Sequence, residues 1–193
     1  MKGRPQKFNE ASVLSKAQQV FWNKGYAATP LDEVLAAMDI GSGSFYNAFK
    51  GGKKELFLAV IRQRRDALEE FRIMVEQDEN PVELIKNYFR GIADADNSIH
   101  LRGCLIANTI TEMTFGDKDI EAEAMSIAID TEAFYTETFR KAQQNGQLKN
   151  MTDAGILGRY LITVWSGLNV TRRIYPDRDK LSELIELQLK LIE

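Results

Sequence analysis
From Asn9 to Lys24 the apolar residues Val13, Leu14, Ala17, Val20 and Phe21 recur at steps of three and four, which predicts an amphipathic helix. Gly25 stops it, because glycine enters the left-handed conformation at little cost. A second helix is expected from Thr29-Pro30-Leu31-Asp32, where a hydroxyl cap, a proline at the first helical position and a first-turn carboxylate coincide; it runs through Val34, Leu35 and Met38. The pattern breaks at Asp39-Ile40-Gly41, and Gly41 or Ser42 caps a short third helix from Gly43 to Phe49. A fourth begins near Lys53 and carries Leu56, Phe57, Val60 and Ile61 to about Glu76. Asn80-Pro81-Val82-Glu83 starts a fifth, through Leu84, Ile85, Tyr88 and Phe89. Residues 94–102 read as a connecting loop, and further helices are expected over 103–114, 119–145, 152–175 and 179–192. Period-two alternation persists nowhere, so the fold class is all-α with about nine helices.

Composition narrows the class. The 193 residues are 44% hydrophobic and 27% charged with four prolines, which suits a packed helical chain and not a disordered one. A single cysteine forms no intramolecular disulfide, and the start MKGRPQKF lacks the apolar stretch of a secretory signal, so the protein is read as cytoplasmic. No run of about 18 apolar residues is present, which argues against a membrane span.

The net charge of −3 hides an asymmetry. Residues 1–65 hold 11 Lys+Arg and 5 Asp+Glu, or +6; the remainder holds 14 and 23, or −9. A basic N-terminal module on an acidic body suggests a polyanion-binding head whose body has no reason to touch nucleic acid. Thr29 to Phe49 has the layout of a helix-turn-helix: small Ala36 and Ala37 for close helix approach, Ile40 to fill the turn, and a short second helix. On that helix Ser42, Ser44 and Asn47 are placed to reach base edges, with Gly43 between them, while Phe45 and Phe49 anchor it.

Residues about 4 to 61 resemble the N-terminal domain of the TetR/AcrR family of transcriptional regulators. The resemblance rests on several motifs in order: A-x-x-V-F-W-x-K-G-Y from Ala17 to Tyr26, then Thr29 and Asp32, then Ile40, Gly43, Ser44, Phe45, Tyr46 and Phe49, then Lys53, Leu56 and Phe57. It implies a sequence-specific DNA-binding homodimer, most often a repressor released from double-stranded operator DNA by a small-molecule effector. Thr29, Tyr46 and Lys53 match positions that commonly contact phosphates in this family, although Thr29 serves equally as a helix cap. Lys2, Arg4 and Lys7 then form a basic arm for the minor groove or backbone, or a solvated terminus. Two departures stand out: Asp39 replaces the usual glycine, and Lys50-Gly51-Gly52-Lys53 is one residue longer than usual and lacks a Ser or Asn cap, which leaves Lys54 competing with Lys53. The expected domains are 1–52, binding DNA, and 53–193, binding effector and partner, linked by the fourth helix.

By analogy the last two helices should pair with those of a second copy, with Gly155, Gly158 and Gly167 permitting close approach and Leu184, Gln188 and Leu191 on the last helix's stripe; an intramolecular core stripe is the alternative. A pocket for an effector of unknown identity is expected from Tyr88, Phe89, Ile106, Met113, Phe115, Phe134, Tyr135 and Trp165. Cys104 belongs with it: a helix start and a neighbouring Arg102 or protonated His100 favour a reactive thiolate, and Gly103-Cys104-Leu105 resembles an element of family members that sense electrophiles or oxidants. Inert packing is the competing role. One histidine, one cysteine and no metal-ligand cluster argue against an enzyme, a metal site or a cofactor. The remaining rival is a helical interaction protein of the same fold that has lost DNA binding.

Overall fold
The computed structural model describes residues 10–193, and every regular element among them is helical. In chain order these are α1 (Glu10–Lys24), α2 (Leu31–Met38), α3 (Ser42–Ala48), α4 (Gly52–Gln77), α5 (Pro81–Arg90), α6 (Asn97–Arg102), α7 (Leu105–Met113), α8 (Lys118–Gln144), α9 (Ala154–Ile174) and α10 (Arg178–Leu189), then a 3-10 turn at Lys190–Ile192. The all-α expectation holds. α6 lies where the sequence reads as a loop: the Asp96 carboxylate accepts the Ile99 N–H and caps it, a local start signal hidden in a polar run. No helix of the described residues is long and apolar enough to cross a membrane.

The chain forms two compact units. The first takes in the described residues through Asp66 together with Asn108–Met125; the second comprises Ala67–Ala107 and Ser126–Glu193. In the first, the apolar faces read from the sequence close on one another: Val13, Ala17 and Phe21 of α1, Val34 and Met38 of α2, Phe45 of α3 and the first turns of α4 are buried. Phe21 meets Phe57 edge-on at 4.9 Å, and Tyr26 lies 5.0 Å from Phe57. Each such ring contributes roughly 1.5–3 kcal/mol by leaving water, so this cluster fixes how α1, α2 and α3 are held. Ala36 and Ala37 are exposed, which removes them from the close helix contact expected of them.

Two left-handed residues shape the turns. Gly25 has φ +81°, as its role as a helix stop requires. Asp39 has φ 57° and ψ 46°, and its N–H caps α2 on the carbonyls of Leu35 and Ala36. The departure from glycine therefore leaves the turn in place at a steric cost.

The second unit has one core, built on Phe89 and Ile85 of α5, Phe139 of α8, Leu161 and Leu168 of α9, and Leu181, Ile185 and Leu189 of α10. The stripe on the last helix is thus largely intramolecular. Leu184 packs against the same core, the Gln188 carbonyl accepts the Tyr160 hydroxyl at 2.7 Å, and Leu191 is exposed. Gly158 serves a close approach within the chain, since a Cβ there would lie 3.0 Å from the Glu132 carbonyl of α8. Gly167 faces open space.

Candidate nucleic-acid interface and ligand region
α3 separates its faces cleanly. Phe45 and Phe49 are buried with their tilted rings 5.6 Å apart, whereas Ser42, Gly43, Ser44, Tyr46 and Asn47 are all exposed. The helix is short, so only this row of small polar groups and one phenol is available to a partner. Its N-cap is Gly41, without a side-chain bond.

Thr29 takes neither of its expected roles. It is fully buried, its hydroxyl donates to the Gly25 carbonyl at 2.5 Å, and the N-cap of α2 is Pro30. It braces the α1–α2 turn from inside and is withdrawn from any phosphate. Lys2, Arg4 and Lys7 lie outside the described residues.

The two lysines opening α4 divide sharply. Lys54 is drawn into ion pairs with Asp117 at 2.8 Å and Asp119 at 2.5 Å, which raise its pKa. Lys53 instead sits 4.5 Å over the Tyr26 ring, and burial lowers its pKa while Glu112 opposes the shift. That leaves Lys53 as the phosphate candidate of the pair. The missing cap on the long link is supplied by Glu55, whose carboxylate accepts the Gly51 N–H at 2.6 Å, a reach back from helix to cap position.

A feature that sequence reading missed holds the same turn from the other side. The Glu112 carboxylate accepts two consecutive backbone donors, Tyr26 N–H at 3.0 Å and Ala27 N–H at 2.7 Å. A Cβ on Gly25 would approach its Oε2 to 2.8 Å, so glycine is needed there both for φ and for space. Glu123 likewise accepts from Arg62 at 3.1 Å and Arg65 at 3.4 Å. Asp117, Asp119 and Glu123 thus pair with Lys54, Arg62 and Arg65, three of the basic residues counted toward the N-terminal charge.

In the second unit Tyr88 stacks on Trp165 at 5.5 Å and meets Phe71 at a tilt, 4.7 Å away, and Phe134 is buried against Phe71 and Tyr135. These three pocket candidates, Tyr88, Phe134 and Trp165, come together. Met113 is buried in the first unit, and Phe115 is 99% exposed, so neither joins them. Cys104 is half-buried, and its sulfur accepts the Ala107 N–H at 3.5 Å at the start of α7. The cation facing it is Arg172, whose pKa burial lowers while Cys104 opposes the shift. Arg102 bonds the Ser98 hydroxyl, and burial together with the charge of Arg172 lowers the pKa of His100. Arg173 donates to the Arg102 carbonyl at 2.6 Å across the side of Gly103 left clear by the missing Cβ.

Comparisons with known proteins agree on the class. The family model for bacterial regulatory proteins of the tetR family matches residues 13–60, and the tetracyclin repressor-like C-terminal domain model matches residues 82–187. The chain is 25% identical over 180 residues to the HTH-type transcriptional repressor DhaR of Mycobacterium sp. (strain GP1), covering 90% of this chain and 86% of that one. Among solved structures it is similar to a cysteine mutant of the regulator CifR complexed with 26-bp double-strand operator DNA, with TM-score 0.81, 25% identity, and 99% and 100% of the two chains covered. It is also similar in fold to reduced NemR of E. coli, with TM-score 0.82, 18% identity, and 95% and 96% covered.

Proposed function
The chain belongs to the TetR family of bacterial transcriptional regulators, and on that premise we propose that it is a cytoplasmic homodimeric repressor whose α3 reads an operator. The observation that carries this reading is the two-faced α3: aromatic anchors inward, and Ser42, Ser44, Tyr46 and Asn47 outward. Tyr46 and Lys53 supply backbone contacts beside it, and Lys2, Arg4 and Lys7 extend the positive charge. The DNA-bound state of CifR, a relative in sequence as well as fold, supports the assignment. The chain acts as a regulator and not as an enzyme.

The dimer face is assigned to α8 and α9. Ile156, Thr163, Gly167, Val170 and Ile174 follow one another at helical spacing along α9, and all are exposed; Ile129 and Ala133 do the same on α8. Gly167 is proposed for this face as in the sequence reading, whereas Leu184 packs against the chain's own core and the Gln188 carbonyl accepts the Tyr160 hydroxyl.

Release is assigned to the second unit, by a small molecule at Tyr88, Phe134 and Trp165 or by modification of Cys104. Effector binding there and operator binding at α3 are then linked reciprocally. The test is a gel shift on the DNA upstream of the gene, at two salt concentrations and with competitor DNA. Binding that resists competitor, weakens with salt and is lost in Tyr46→Ala supports the reading. Binding that competitor abolishes, from both that DNA and a selected random pool, refutes it.

A further inference from the structure
We propose that Arg172 anchors an anion site in the second unit and that the effector carries a carboxylate bound to its guanidinium, an inference that rests on the second unit being the effector domain. Arg172 is only 4% exposed. Its Nη2 donates to Asn169 Oδ1 at 2.7 Å, and Asn169 in turn donates to the Trp165 carbonyl at 2.7 Å, which fixes the amide with its oxygen toward the guanidinium. Its Nε reaches no acceptor, and no carboxylate among the described residues forms an ion pair with it. The charged and titratable groups around it are Arg173, which repels it, with Cys104, Tyr88 and His100. His100 is itself 3% exposed with Nδ1 unbonded.

A buried cation without a counterion is strongly disfavoured unless something else supplies the charge. The other buried cation among the described residues, Lys86, has carboxylates within reach, Glu83 and Glu193 at 3.7 Å each. The guanidinium presents a planar fork of donors, and the complement of that fork is a carboxylate with two oxygens. The surroundings fix the rest of the ligand. Phe89 meets Trp165 edge-on at 5.9 Å and Tyr88 stacks on the same indole, whose backbone carbonyl holds Asn169, so the side chains packed along this stretch of α5 and α9 are aromatic. Tyr88 and Cys104, both partly exposed, mark the side of approach. An aryl or arylalkyl carboxylate satisfies both halves of the site. Cys104 lies beside the same guanidinium, but one sulfur does not fill the fork.

The experiment uses the full chain with 3-phenylpropanoate and benzoate against their neutral amides, reading melting temperature, tryptophan fluorescence and the operator gel shift together. Either carboxylate is expected to raise the melting temperature and to weaken operator binding at least tenfold at concentrations where its amide does neither. Arg172→Met should fold, bind the operator and lose the response, because it removes an unmatched charge from the interior; Arg172→Lys, which keeps charge without the fork, should respond several-fold more weakly than the parent. Cys104→Ser should keep the preference for carboxylate over amide, because the guanidinium fork remains. The proposal is overturned if the amides match the carboxylates, if neither carboxylate acts, if both Arg172 variants respond fully, or if Cys104→Ser abolishes the response. Intact operator binding in those cases leaves the regulator assignment standing, whereas a melting shift without any operator binding would remove the regulator assignment and keep the anion site.

Discussion

Removing the Glu112 carboxylate should loosen the turn that joins α1 to α2. In the parent it accepts the Tyr26 and Ala27 N–H groups at 3.0 and 2.7 Å. Hydrogen bonds to a charged acceptor are worth about 1.5–3 kcal/mol each when sheltered, and roughly half that or less where solvent screens them, as at exposed Glu112. Glu112→Ala should therefore cost about 1–2 kcal/mol, a fall of roughly 2–8 °C in melting temperature for a chain of this size. Glu112→Gln, which keeps one acceptor oxygen but turns an amide N–H toward the second donor, should lose about half as much or more. Because the same turn carries buried Thr29 and leads directly into α2, operator affinity should drop by roughly 5–30-fold if that ordering must be restored on DNA. Thermal melting and fluorescence anisotropy on labelled operator read the two effects separately. A double-mutant cycle tightens the argument: Gly25→Ala alone meets the carboxylate at 2.8 Å and adopts φ +81°, whereas in the Glu112→Ala background only the backbone strain remains. Strictly additive losses in that cycle, or a Glu112→Ala protein that melts and binds like the parent, would refute this account of the turn.

Other outcomes follow from single features. Asp39→Gly relieves a left-handed aspartate and should stabilise the protein by about 0.5–1 kcal/mol, read as a small rise in the urea midpoint with unchanged slope. Lys53→Ala should weaken operator and unrelated DNA alike and reduce the salt slope by about one per subunit, whereas Lys54→Ala, which removes a partner of Asp117 and Asp119, should act mainly on melting temperature. His100 is held below its ordinary pKa, first by burial and then by Arg172, against the opposing pull of Asp96 and a backbone bond to Ala95. The unfolded chain takes up that proton first, so its contribution is complete above about pH 6.5 and is lost as pH falls toward the lowered folded value; His100→Gln should flatten the stability profile between about pH 7 and 5.

The helices of the first unit were legible because their apolar spacing is local and their stops, such as Gly25, act on their own neighbours. Phe45 and Phe49 were legible as anchors for the same reason, and so was the outward face of α3. Thr29 was not, since a threonine before proline signals a cap by type, while its actual partner is the Gly25 carbonyl behind it. The Glu112 contact joins residues 86 and 85 positions apart and leaves no trace in either local pattern. Arg172 and Cys104 are likewise brought together by the packing of helices distant in sequence. The stripe on α10 shows the reverse ambiguity: a core face and a dimer face have the same period, and only the burial of Leu181, Ile185 and Leu189 separates them.

That Asn108–Met125 is folded in with the N-terminal helices bears on how such a regulator is recombined. The reading head is discontinuous in the gene: its carboxylates at Glu112, Asp117, Asp119 and Glu123 are encoded far downstream of the helices they hold. A chimera spliced at residue 52 or 66 would carry α3 into a new body without them. With α3 proposed as the operator reader, specificity would be exchanged with least disturbance by substitution on its outer face, whereas grafting the whole unit requires the 108–125 segment to travel with it.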